Sequence, residues 1–141
     1  MIRDDFVSYD VALLLQEKGF SGYCDRYYSE KDVIVKIPNA ICIKGGTKDE
    51  PVFAPSVNMA MKWLREVHNL YICPKYCCFC GSRPNDRPYF KWEARILKLP
   101  SSNIIYPHPL DMCEHYETYE EAVEAALKYA LENIITKEDK Q

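Results

Sequence analysis

Residues 54–78 read APSVNMAMKWLREVHNLYICPKYCC, and the pattern changes character inside them. Val57, Ala60, Met61, Leu64 and Val67 recur at steps of three and four, the spacing that lines side chains along one stripe of a helix. Trp63 widens the stripe, and Pro55 suits a first helical turn, where its missing N–H does no harm. The spacing lapses at His68-Asn69, and Leu70 to about Cys78 is an apolar run of strand length. A helix that feeds straight into a strand sets the class as mixed α and β.

Working outward, Ser8 to Lys18 is a short helix. Ser8 is its N-cap, Asp10 favours the first turn, and Val11, Leu14, Leu15 and Lys18 share one side. Gly19 stands where a glycine ends a helix, with Phe20 placed to fold back on the last turn. Tyr23–Tyr28 and Val33–Ile37, separated by a polar turn, read as a hairpin, and Ala40–Lys44 as a third short strand before Gly45-Gly46. Downstream, Gly81–Arg87 is a turn-rich loop and Pro88–Leu99 a long returning strand, closed by Pro100. Both alternating sets of that strand contain aromatics, so its inner face stays open. Ser101–Tyr116 reads as irregular. Thr118 and Glu121 then form a capping box for a third helix, on which Ala122, Ala125, Ala126, Tyr129, Ala130 and Asn133 run along one side, with Val123, Leu127, Leu131 and Ile134 beside it. The expected fold is α+β, in the order α-β-β-(β)-α-β-β-α: three helices on one face of a single antiparallel sheet of four to five strands. Residues 1–135 make one domain and 136–141 a frayed polar tail.

Composition agrees with a globular chain: 141 residues, 48% hydrophobic and 28% charged, at net charge -3. Mild acidity argues against wrapping a duplex, which needs a clustered cationic excess, so nucleic acid is the lesser expectation as partner. No run approaches the length of a membrane span, and the polar start, Met1–Asp5, lacks the features of a secretory signal. The expectation is a cytoplasmic protein with no membrane partner, its seven cysteines held as thiols or metal ligands. Self-association stays open.

Three segments resemble a group of small proteins encoded by Bacteroides-type phages and prophages: FVSYDVALLLQEKGF (6–20), APSVNMAMKWLREVHN (54–69) and YETYEEAVEAALKYALENII (116–135). The resemblance covers about half the chain and rests on capped amphipathic helices. It implies a phage accessory protein acting inside a bacterial host, and it brings no catalytic residues.

Three constellations carry chemistry. Cys73, Cys77 and Cys80, with Cys78 between, could hold zinc, since Cys77-x-x-Cys80-Gly81 is half of a zinc knuckle and His68, His108, Cys113 or His115 could complete four ligands. Small buried hydrophobes on a strand are the plainer account of Cys73 and Cys77. His108 and His115 share a loop with Asp111, as a small hydrolase would need, yet no metal or nucleophile register surrounds them. Arg83, Arg87, Lys91 and Arg95 interleave with Tyr89, Phe90 and Trp92, a mixture that suits a stacked base and its phosphate. A solvated sheet face over a Phe–Trp core is the plainer account here.

The expected function is therefore a non-enzymatic binding module that engages a host protein or sequesters a nucleotide-like ligand, with a possible anti-defence role. Arg83, Arg87, Tyr89, Lys91, Trp92 and Arg95 form its surface. No cofactor is expected unless the cysteines take zinc. A zinc-stabilised nucleic-acid-binding domain and the His108/His115 hydrolase are the alternatives.

Overall fold

Ser8 accepts a hydrogen bond from the backbone N–H of Val11 at 3.3 Å and opens α1 (Tyr9–Glu17). The helix closes as its sequence requires: Gly19 takes φ 85°, its N–H reaches the Gln16 carbonyl, and the N–H of Phe20 reaches that of Leu15. Phe20 is thereby turned into the core. The computed structural model describes residues 5–31, 33–44, 51–79, 83–101, 103–107 and 114–135.

Strand β1 (Ser21–Glu30) pairs antiparallel with β2 (Val33–Lys44) on one side and with the two-residue β3 (Val52–Phe53) on the other. The segment expected as a separate strand at Ala40–Lys44 is the far part of β2. Cys24 pairs with Ile41 and Arg26 with Lys36, so Ile37–Ala40 bulge out opposite the single residue Asp25.

Helix α2 (Val57–His68) is capped by Ser56, whose hydroxyl accepts from the N–H of Met59 at 3.1 Å. Pro55 thus precedes the cap and is buried. Ala60, Met61, Trp63 and Leu64 are buried as the stripe requires, but Val67, the penultimate residue of the helix, is exposed. Asn69 adopts the left-handed conformation (φ 56°) and turns the chain at once into β4 (Leu70–Phe79). Strand β4 pairs with β5 (Tyr89–Lys98) in ten consecutive residue pairs, and β5 pairs in turn with β6 (Asn103–Tyr106). The last helix, α3 (Tyr119–Tyr129), starts at Thr118, which accepts from the N–H of Glu121 at 3.1 Å, and runs on through a π-helical turn, Ala130–Ile134.

The single sheet expected from the sequence is therefore wrong. The described residues form two three-stranded antiparallel sheets, ordered β2-β1-β3 and β4-β5-β6. The physical reason lies in β3 and β6. Each is a short edge strand, with two and four residues respectively, and each closes its own sheet instead of joining it to the other. Both went unread in the sequence. β3 is too short to show an alternation, and β6 lies in Asn103–Tyr106, inside the stretch expected to be irregular.

One core joins the helices to the second sheet. Val11, Ala12 and Leu15 of α1, Ala60 and Leu64 of α2, and Ala122, Val123, Ala126 and Leu127 of α3 meet Leu70, Ile72, Ala94 and Ile96 of β4 and β5. Full burial of each large aliphatic there is worth about 1.5–3 kcal/mol. Among the described residues, no helix is long and apolar enough to cross a membrane.

Candidate functional site

The unbroken register of β4–β5 assigns the faces that the sequence left open. Ile72 faces Ile96, Pro74 faces Ala94, Tyr76 faces Trp92 and Cys78 faces Phe90, and this set points toward the helices. The opposite set pairs Cys73 with Arg95, Lys75 with Glu93 and Cys77 with Lys91. The six candidate binding residues are thus divided. Tyr89, Lys91 and Arg95 share the outer face, Trp92 belongs to the helix-facing stripe, and Arg83 and Arg87 are exposed in the connecting segment.

The stripe leaves the core before it ends. Ile72 and Ile96 are at most 1% exposed, whereas Tyr76 is 58% and Phe90 51% exposed. Their rings form a row: Tyr76 stacks on Phe90 (centroids 5.4 Å apart) and leans on Trp92 (5.0 Å), which meets Tyr119 of α3 edge-on at 5.3 Å. Trp92 also exchanges both backbone hydrogen bonds with Tyr116, each 2.8 Å, so the segment before α3 lines the free edge of β5.

That pairing places His115 and Glu117 on the outer face. Glu117 meets Lys91 at 2.6 Å, and His115 Nε2 lies 3.7 Å from Glu93. Glu93, only 5% exposed, also pairs with Arg95 at 3.1 Å, which offsets the cost of burying its charge. Burial raises the Cys77 thiol above its ordinary range, and a hydrogen bond to Glu93 raises it further. A thiol held protonated is a poor nucleophile and a poor metal ligand.

Cys73 and Cys77 lie four residues apart on one extended strand, which separates them by about 13 Å, too far to share one ion. Cys80 lies outside the described residues, as do His108, Asp111 and Cys113 of the alternative hydrolase. Among the described residues no group of His, Cys, Asp or Glu is placed to hold a metal.

The charges of this hairpin differ from those of the rest. Residues 70–98 carry six Lys or Arg against two acids, while the rest of the chain carries twelve against nineteen. The arginines of the connecting segment are open. The Asp86 carboxylate accepts from the backbone N–H of Arg83 at 3.1 Å, and neither Arg83 nor Arg87 forms an ion pair with a described residue. Counting charge segment by segment would have found this island, which the net charge of -3 conceals. Compared with protein-family models, curated proteins and solved structures, the chain matches none.

Proposed function

We propose that this domain is a non-enzymatic binding module and that the far half of β4–β5 takes an anionic ligand with flat rings, nucleotide-like in chemistry. The observation that carries this reading is the pair Tyr76 and Phe90, stacked on each other yet half exposed at the end of a stripe that begins in the core. Exposed aromatics cost solubility, and a ligand ring covers them. Of the two occupants considered, a host protein and a nucleotide-like ligand, the exposed Arg83 and Arg87 in the segment leading into Phe90 favour the second. The likeness of the helices to small phage proteins supplies the setting, the interior of a bacterial host.

A thermal-shift screen against nucleoside mono- and triphosphates tests the reading. A raised melting temperature that disappears in Tyr76→Ala/Phe90→Ala is expected. An unchanged melting temperature across the panel, with no oligonucleotide bound either, overturns it.

A further inference from the structure

The same surface narrows the ligand further, and the inference rests on the reading just given. We propose that its occupant is single-stranded nucleic acid, not a free nucleotide. Three observations carry this. First, the ring row is longer than one base. Phe90, Tyr76 and Trp92 follow one another at 5.4 and 5.0 Å along the paired strands, as a platform for successive bases would. Second, the site is open. Sites for single small molecules are concave and enclose their ligand. Tyr76 and Phe90 instead stand on an exposed sheet end.

Third, the charge is spread out. Arg83 and Arg87 are both exposed in the connecting segment that leads into Phe90, two separate guanidinium groups that suit successive phosphates better than one phosphate group. The acidity of the remaining chain confines a polyanion to this hairpin. A duplex keeps its base faces stacked inside, where these rings cannot reach them without opening it, so the rings select unpaired strands.

The test is fluorescence anisotropy of end-labelled 12-residue oligo(dT) and oligo(U) with the full chain, at 50 and 200 mM salt. Saturable binding that weakens with salt is expected. Tyr76→Ala/Phe90→Ala and Arg83→Ala/Arg87→Ala should each weaken it about tenfold or more, with Tyr76→Phe retaining it. Circular dichroism and melting of each variant separate lost binding from lost folding. If the ring variant unfolds, Phe90→Leu, which removes the ring and keeps the bulk, replaces it. Binding that ignores the ring variants, or equal affinity for a duplex of the same length, overturns the proposal. Nucleotides that bind where oligonucleotides do not overturn it while leaving the broader reading standing. Failure of both ligand classes overturns both.

Discussion

The hairpins β1–β2 and β4–β5 use similar lengths of chain, yet one is interrupted and the other is not. In β1–β2 the four residues opposite Asp25 break the alternation. Val33, Ile34 and Ile41 end up exposed on an edge strand, and the sheet meets the helical layer chiefly through β1 and β3. In β4–β5 ten pairs run without a slip, so one face stays apolar from Leu70 outward. The helices cover only its first half. The difference teaches where an exposed aromatic matters. Scattered apolar residues on β2 are what an irregular edge leaves behind, whereas Tyr76 and Phe90 continue an ordered stripe past its cover.

The most forceful way to break this contrast is to cut side chains along the stripe. Ile96→Ala, at the buried end, should cost about 2–5 kcal/mol in urea unfolding, while Phe90→Ala, at the open end, should cost under about 1 kcal/mol. Equal losses would make the open end part of the core. Thr118→Ala removes the cap of the helix over the buried end and should cost about 1 kcal/mol, read from the same curves. On the interrupted hairpin, Ile34→Thr should stay within about 0.5 kcal/mol of the parent, since the residue is an exposed edge position.

The two hairpins also each hold a thiol above its usual range, and pH sharpens the comparison. Burial raises Cys24, whose Sγ donates to the Arg26 carbonyl at 3.0 Å, and burial followed by Glu93 raises Cys77. Each thiol keeps its proton more tightly folded than unfolded. Its contribution is complete below the ordinary thiol range, about pH 8.5, and is lost as pH rises toward the folded value. Melting temperature should therefore hold to about that pH and fall above it. Glu93→Gln removes the charge that opposes the Cys77 thiolate. It should speed alkylation of Cys77 a few-fold at pH 8, with Cys24 unchanged, as followed by mass spectrometry of labelled peptides.

Much of the helical layer was legible because its signals are local. Ser8, Gly19, Asn69 and Thr118 each act on atoms within a few residues, and all four do in the structure what their positions imply. Sheet membership was not legible, because it depends on which edge meets which. Two residues, Val52 and Phe53, decide that β1 is closed off, and no periodicity exists in so short a run. At the candidate site the residue types were visible in the sequence but their faces were not. Only the pairing of Tyr76 with Trp92 puts those rings together, and only the exchange between Trp92 and Tyr116 brings His115 to Glu93.

One edge strand of each sheet carries a proline, Pro38 within the interruption of β2 and Pro74 midway along β4. A neighbouring molecule that tried to add its own backbone to either rim would meet a missing donor at that point, and beside Pro38 a kink as well. Growth of a fibre by repeated strand addition stalls there after a few residues. The proline-bearing rims of β2 and β4 are thus poor templates for aggregation.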